Sequence, residues 1–124
     1  MNAGDILKEA WGHRAGPAVF TTVDGEGNPN SVYVLSIKLL DDGRIAVMDN
    51  YFDKTRRNIK NGSRGAFLFL AAPRTPYQAK GRIEYVDSGP VFEAFKAEID
   101  PKFPRLAAAI LTVEELYSGE KRLA

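Results

Sequence analysis

The fold is decided by residues 31–48, which read SVYVLSIKLLDDGRIAVM. Successive side chains of a β-strand point to opposite faces, and the first ten residues, Ser31–Leu40, alternate in this way. One predicted face carries Tyr33, Leu35, Ile37 and Leu39. The sequence then turns at Asp41-Asp42-Gly43, whose residue types favour tight turns, and returns as a second predicted strand, Arg44–Met48. These residues therefore predict an antiparallel hairpin.

A third predicted strand, Ala18–Val23, precedes this hairpin and is rich in β-branched and aromatic side chains. It is joined to Ser31–Leu40 by Asp24–Pro29, where Gly and Asn supply the positive φ that hairpin loops need. We therefore predict a three-stranded meander over residues 18–48. Upstream of it, apolar residues recur at helical spacing and predict a short helix over Gly4–Trp11.

The second half of the chain alternates helices and strands. Asp53–Lys60 is predicted to be a helix with Asp53 as its N-cap, and another helix is predicted to start at Ser88-Gly89-Pro90. Ala66–Leu70 is an unbroken apolar run, which is typical of a strand buried on both faces. Gln78–Val86 alternates as a further strand. Arg105–Tyr117 fits either a helix, by its propensities, or a buried closing strand.

Short antiparallel strands with tight turns dominate this order of elements. Such a chain protects its sheet edges best by closing into a barrel. The length of 124 residues is that of one domain. We therefore expect a single domain over residues 1–124 that is mainly β with short helices, built as an antiparallel barrel of six or so strands.

The composition excludes several classes of protein. The absence of cysteine rules out disulfides and Fe–S clusters, and the single histidine, His13, rules out a histidine metal cluster. A net charge of +1 lacks the basic excess typical of a nucleic-acid-binding protein. The apolar runs Ala66–Ala72 and Leu106–Leu111 are far shorter than the ~20 residues that span a bilayer. Because acids stand where a signal peptide is basic and then apolar, we expect a cytoplasmic protein with neither membrane nor nucleic acid as partner.

Three cations, Lys54, Arg56 and Arg57, occupy the first turn of the predicted Asp53–Lys60 helix. Cations are disfavoured there because the N-terminal end of a helix carries partial positive charge. An anion at this end would reverse the effect, and the Lys54 ammonium with the Thr55 hydroxyl suits a phosphate. The alternative is a solvated basic face on a helix capped by Asp53.

The strand residues Ser31–Leu35 form a second candidate binding element. Strand backbone beside an apolar wall can hydrogen-bond the edge of a planar heterocycle, and the alternative is an ordinary barrel wall. No motif brings a His–Asp pair to Ser31 or Ser36, so nucleophilic hydrolysis has little support.

Gly16–Ala72 resembles the FMN-binding split-barrel superfamily, whose namesake is pyridoxamine 5′-phosphate oxidase, and most closely its small FMN-binding proteins from sulfate-reducing bacteria. The resemblance is carried by Ser31–Leu40, by DDGRIAV at 41–47 and by KTxxNI at 54–59. The later elements GRI at 81–83, GPVFEA at 89–94 and an arginine at 105 follow in the same order. The resemblance implies an antiparallel split β-barrel and favours a strand for Arg105–Tyr117.

The resemblance also implies a cofactor, FMN, and the residues that would hold it. Lys54 and Thr55 would bind the phosphate. The phosphate and ribityl side would be lined by Asp49, Asn50 and Tyr51, and the isoalloxazine ring by Ser31, Val32, Tyr33 and Val34. The flavin would lie at the interface of a homodimer, with Phe103 and the tail after Val113 as its cover from the partner protomer.

The function implied is that of a flavoprotein, either an FMN-dependent oxidoreductase or an electron-transfer protein with a redox protein partner. A true pyridoxamine phosphate oxidase is not expected, because its substrate-gripping segment follows the barrel and this sequence stops at Ala124. One alternative is a barrel that binds a deazaflavin or another phosphate ligand without redox turnover. A further alternative is a small nucleic-acid-binding barrel whose basic face is Lys54, Arg56, Arg57, Lys60 and Arg64.

Overall fold

One curled antiparallel sheet and three short helices make up the computed structural model, which describes all residues 1–124. The helices are α1 (Ala3–Trp11), α2 (Lys54–Lys60) and α3 (Pro90–Glu98). The strands are β1 (Ala18–Val23), β2 (Pro29–Val34), β3 (Ile37–Leu39), β4 (Ile45–Asp49), β5 (Arg64–Ala71), β6 (Thr75–Val86), β7 (Ala107–Ser118) and β8 (Lys121–Arg122). The mainly β, antiparallel barrel is confirmed, with eight strands rather than about six.

Seven strands follow one path through the sheet in the order β2-β1-β5-β6-β7-β4-β3, and β8 pairs with β7. The two strands at the ends of this path, β2 and β3, are consecutive in the chain and are separated by Leu35 and Ser36. The chain itself therefore joins the two edges of the sheet. Beside this join, the Met48 amide donates to the Ser36 carbonyl at 2.9 Å. We call the join the split of the barrel.

The split corrects two predictions from the sequence. Ser31–Leu40 is two strands rather than one, because β2 pairs with β1 while β3 pairs with β4 at the other end of the sheet. Residues 18–48 thus form two separate hairpins and no meander. The predicted apolar face is divided as well: Tyr33 and Leu35 are 78% and 76% exposed, whereas Ile37 and Leu39 pack against the core.

The core fills the inside of the barrel. Phe20, Phe67 and Leu111 are fully buried there, and each such side chain contributes roughly 1.5–3 kcal/mol by its burial. α1 closes one end of the barrel through buried Leu7, and Trp11 stacks on Phe67 with ring centroids 5.7 Å apart. The predicted helix over residues 4–11 is therefore confirmed.

α3 covers the outer face of β4 and β7. Phe92 and Phe95 pack there in a cluster with Ala46, Met48, Ala108 and Ile110, so that β4 and the first half of β7 are buried on both faces. The prediction of two buried faces for Ala66–Leu70 is wrong. In β5 Leu68 and Leu70 point outwards and are 42% and 43% exposed, because α3 packs on the other part of the sheet.

The ambiguous segment Arg105–Tyr117 is a strand from Ala107 onwards. It pairs with β6 on one side and with β4 on the other. This central position overrides its helical propensity, since a strand with two neighbours satisfies its backbone groups in the sheet.

Candidate functional site

A cavity of about 320 Å³ lies at the split of the barrel. Its walls come from the end of β2, from the loop after β4 and from the connection between α3 and β7. The lining residues are Val32, Tyr33, Val34, Leu35, Ser36, Met48, Asn50, Tyr51, Phe52 and Phe103. The lining is mostly apolar, and the volume is at the lower end of the roughly 300–1,000 Å³ typical of small-molecule sites. We call it the split cavity.

The rim of the split cavity consists of large, exposed apolar side chains. Tyr33, Leu35 and Tyr51 are each about three-quarters exposed, while Val34 and Met48 in the wall are buried. Large apolar side chains that stay exposed around a concave surface indicate a binding or interaction site. The split cavity is therefore suited to a flat, largely apolar group.

The polar side chain that ties the walls together is Asn50. Its Nδ2 donates to Ser36 Oγ at 3.2 Å, and its Oδ1 accepts from the Arg105 amide at 3.0 Å. One amide therefore connects all three segments that build the split cavity. The backbone adds a parallel contact, since the Leu106 amide donates to the Asp49 carbonyl at 2.9 Å.

Asp49, the last residue of β4, is fully buried, and its carboxylate accepts four hydrogen bonds. Oδ2 accepts from Arg56 Nε at 2.7 Å and from the Tyr85 hydroxyl at 2.5 Å. Oδ1 accepts from Arg56 Nη2 and from the Phe52 amide, both at 3.0 Å. We call these four residues the Asp49 cluster. It fixes the loop between β4 and α2.

The electrostatics of the Asp49 cluster favour a charged carboxylate and a neutral phenol. Burial alone would raise the pKa of Asp49, but the hydrogen bonds from Arg56, Tyr85 and the Phe52 amide outweigh it and hold that pKa below its ordinary range. Burial, followed by the hydrogen bond to Asp49, raises the pKa of Tyr85 to about 12. At neutral pH the cluster is therefore an ion pair with a neutral tyrosine donating to it.

The three cations predicted at the start of α2 have different partners. Arg56 is neutralised by Asp49, and Arg57 lies 3.6 Å from the Asp53 carboxylate with both side chains mostly exposed. Lys54 is not among the side chains paired with a carboxylate. Asp53 occupies the predicted N-cap position of α2, but its side chain accepts no hydrogen bond from an α2 amide and faces Arg57 instead.

Lys54 lines a second cavity, of about 300 Å³, between the β1–β2 hairpin and α2. Its lining is entirely polar apart from one proline and consists of Asp24, Asn28, Pro29, Asn30, Lys54, Arg57, Asn58 and Asn61. The Asp24 carboxylate is occupied by the hairpin, whose Glu26 and Asn28 amides donate to it at 2.9 and 2.8 Å. The side-chain amides of Asn28, Asn30 and Asn58 donate within the protein. Lys54 is the cation of this cavity that is paired with no carboxylate. We call this the polar cavity.

Six of the ten predicted cofactor-binding residues meet in the split cavity, namely Val32, Tyr33, Val34, Asn50, Tyr51 and Phe103. Lys54 lines the polar cavity. The other three are engaged within the protein. The Ser31 hydroxyl lies 2.7 Å from that of Thr21 on the outer face of the sheet, Thr55 is buried and its hydroxyl accepts from Asn30 Nδ2 at 3.1 Å, and Asp49 belongs to its cluster.

Phe103 lines the split cavity of its own chain, and its expected role as a cover from the partner protomer stays a prediction. The tail after Val113 continues β7, which pairs with β6 as far as Tyr117, and then forms β8; none of its residues lines the split cavity of its own chain. Leu35, which belongs to the predicted binding strand Ser31–Leu35, also lines the cavity, together with Ser36, Met48 and Phe52, which were not predicted. They become neighbours only because the strand breaks at the split, which the alternating pattern does not reveal.

No three side chains of His, Asp or Glu converge as they would around a metal ion. His13 is exposed after α1 and lies at a different cavity, beside Ile6, Ala10 and Tyr77. None of the three helices has the length and apolar character needed to cross a membrane.

The curled sheet, closed through the chain at the split, defines a split β-barrel. The family model described as pyridoxamine 5′-phosphate oxidase matches residues 8–118. An uncharacterized protein of Methanocaldococcus jannaschii is 30% identical over 106 residues, which cover 78% of this chain and 68% of that protein. The chain therefore belongs to the pyridoxamine 5′-phosphate oxidase family, within the FMN-binding split-barrel superfamily.

Solved structures agree with this assignment. HupZ from Group A Streptococcus superposes with a TM-score of 0.78 at 26% identity, covering 95% of this chain and 94% of that one. An FMN-binding protein from Syntrophomonas wolfei has a TM-score of 0.81 at 16% identity, covering 96% and 87% of the two chains. The second similarity is one of fold.

Proposed function

We propose that this protein binds FMN, with the isoalloxazine ring in the split cavity and the phosphate beside Lys54 in the polar cavity. The observation that carries the proposal is that residues from three separate segments meet around one apolar, open-sided cavity. Ser36 and Asn50, which are hydrogen-bonded to each other through their side chains, line this cavity as well. A flat heterocycle with a polar edge matches this lining.

The two cavities are spaced for a single ligand. Asn30 in the polar cavity and Val32 in the split cavity are successive residues on the inner face of β2, and such residues are about 7 Å apart along a strand. Phe52 and Lys54 likewise flank the start of α2 from the two cavities. A sugar-alcohol chain between ring and phosphate would bridge this distance.

Bound FMN supplies hydride and one-electron chemistry by itself, and the protein contributes binding, orientation and electrostatics. The split cavity is lined by no carboxylate, histidine or lysine. This lining accords with the two roles that the proposal includes, an FMN-dependent oxidoreductase and an electron-transfer protein. Anaerobic mixing with NADPH distinguishes them, because only in the oxidoreductase is hydride transfer expected to reduce the bound flavin rapidly, in a single half-reaction that bleaches its absorbance.

Replacement of Lys54 tests the placement of the phosphate. Lys54→Ala is expected to weaken FMN binding about tenfold or more, because a charged hydrogen bond contributes roughly 1.5–3 kcal/mol. Riboflavin, which lacks the phosphate, should bind the variant and the wild type with nearly equal affinity. Titration of the apoprotein followed by flavin fluorescence gives both dissociation constants.

The matched control is Lys60→Ala, which removes the same charge from the other end of α2, where the ammonium lies over the Tyr85 ring. Its FMN affinity should equal that of the wild type. An equal loss for both flavins in Lys54→Ala would contradict a phosphate in the polar cavity. If the wild-type protein binds neither FMN nor riboflavin but binds a deazaflavin, the deazaflavin replaces FMN as the proposed cofactor.

We also propose that the protein is a homodimer formed through the outer face of β2, β1 and β5. Tyr33, Val19 and Leu68 are directly paired across these three strands and so form one row on that face. The row continues into the exposed rim of the split cavity at Tyr33 and Leu35. A second copy on this face would cover both the apolar row and the open side of the cavity.

Leu68→Glu is expected to give a monomer in sedimentation velocity, because a charge in the centre of an apolar interface loses its hydration without a partner. Val91→Glu is the control, since Val91 is similarly exposed but lies on α3, which packs on the other part of the sheet. It should leave the dimer intact. A wild-type protein that sediments as a monomer when loaded with FMN contradicts the proposal.

A further inference from the structure

The connection between α3 and β7 brings Phe103 into the wall of the split cavity. Its backbone is restrained by Pro101 and Pro104, whose rings fix φ. Two hydrogen bonds fold it around Asp100: the Lys102 amide donates to Asp100 Oδ1 at 2.9 Å and the Phe103 amide to the Asp100 carbonyl at 3.0 Å. The position of Phe103 therefore depends on where this stiff unit is anchored.

The anchor is Arg105, and its backbone is strained. Its φ of 51° lies in the left-handed region, which L-residues with a side chain disfavour. Every other residue with positive φ in this protein is a glycine. A strained conformation of this kind persists only where the surrounding contacts hold it.

Asn50 makes the side-chain contact that holds the Arg105 backbone. Its Oδ1 accepts from the Arg105 amide at 3.0 Å, while its Nδ2 donates to Ser36 Oγ at 3.2 Å across the split. The Arg105 Nε in turn donates to the Phe103 carbonyl at 3.3 Å. A continuous set of hydrogen bonds thus runs from Ser36, in the break between β2 and β3, through Asn50 and Arg105 to the carbonyl of Phe103.

We propose that Asn50 is a positioning residue of the split cavity. By holding Arg105 in the left-handed conformation, it keeps Phe103 at a distance from β2 that leaves room for one flat ring. The inference rests on the proposed function, and it adds a role for a residue that acts through its neighbour. The proposal also explains why Arg105, the one non-glycine residue with positive φ, lies beside the cavity.

The test compares two flavins and uses a rescue. Asn50→Ala should weaken FMN and riboflavin equally, each about tenfold, because a lost hydrogen bond that leaves a partner unpaired costs that much and the polar cavity is unchanged. Arg105→Gly in the Asn50→Ala background should recover part of the lost affinity, because glycine adopts the left-handed conformation without strain, whereas the bond from Arg105 Nε to the Phe103 carbonyl is lost. Asn50→Asp, which keeps the acceptor for the Arg105 amide, should recover most of the riboflavin affinity.

Three results would overturn the proposal: wild-type affinity in Asn50→Ala, a loss for FMN alone, or a loss that Arg105→Gly does not relieve. The last result would mean that Asn50 contacts the ring directly. Amide hydrogen exchange of the apoprotein separates this proposal from the proposed function. If no flavin binds, rapid exchange at Arg105 in Asn50→Ala still supports the anchoring, whereas unchanged protection refutes it.

Discussion

Asp49→Asn is expected to destabilise the protein by about 3 kcal/mol, because removing one charge of a buried pair leaves the other uncompensated. Arg56 would lose its ionic partner, and the Tyr85 hydroxyl would lose the charged acceptor that it contacts at 2.5 Å. This estimate is at the lower end for buried pairs because the Arg56 side chain is 30% exposed. Urea unfolding at neutral pH measures the change.

Asp53→Asn is the matched control, since Asp53 also faces an arginine of α2 but in an exposed pair at 3.6 Å. Its effect should stay within about 0.5 kcal/mol. The folded-state pKa of Asp49 is depressed, so its contribution is present above the unfolded pKa of about 4 and is lost as the pH falls through the folded value. Asp49→Asn should lack this part of the acid dependence. Equal stability of the two variants would contradict a structural role for the Asp49 cluster.

Gly81→Ala is expected to cost about 3 kcal/mol or to prevent folding, because overpacking against fixed backbone cannot be relieved by a rotamer change. A Cβ at Gly81 would lie 1.7 Å from the Thr112 carbonyl oxygen and 3.2 Å from the Glu114 amide nitrogen. Both atoms belong to β7, at the point where the register between β6 and β7 shifts after Lys80. Thermal unfolding, or the yield of soluble protein if the variant does not fold, gives the result.

Gly25→Ala provides the comparison for Gly81→Ala. Gly25 is in the exposed hairpin after β1, where a Cβ would have no atom within 4 Å and where φ is not positive. Its stability should change by no more than about 0.5 kcal/mol. Two equally stable alanine variants would mean that β7 can move away from β6 at little cost.

Much of the fold could be predicted from local patterns in the sequence. The strand Ala18–Val23 was predicted with its observed bounds, since Gly16-Pro17 precedes its β-branched and aromatic side chains and the Asp24–Pro29 loop follows them. The break at Leu35-Ser36 was not predictable in this way, because the two-residue period continues through it while the strand changes its partner. The second buried face was assigned to Ala66–Leu70 instead of β4, because an apolar run does not reveal which part of a sheet a helix will cover.

The candidate site was predicted to a similar degree. The resemblance brought together residues as distant in the chain as Val32, Asn50 and Phe103, and the structure places them around one cavity. The resemblance could not show that Asp49 and Thr55 are engaged within the protein. Asp49 accepts a hydrogen bond from Tyr85, and Thr55 accepts one from Asn30. Charged and hydroxyl side chains near a site look the same in a sequence whether they face a ligand or each other.

The position of β7 between β6 and β4 also determines the order in which the barrel can be assembled. The hairpins β1–β2 and β3–β4 connect near neighbours in the chain, whereas β4 gains its other partner only when Ile45 meets Leu111. Contacts between such distant residues slow folding, because a long loop must close before they form. During synthesis the β3–β4 hairpin therefore keeps an unpaired edge until β7 has left the ribosome.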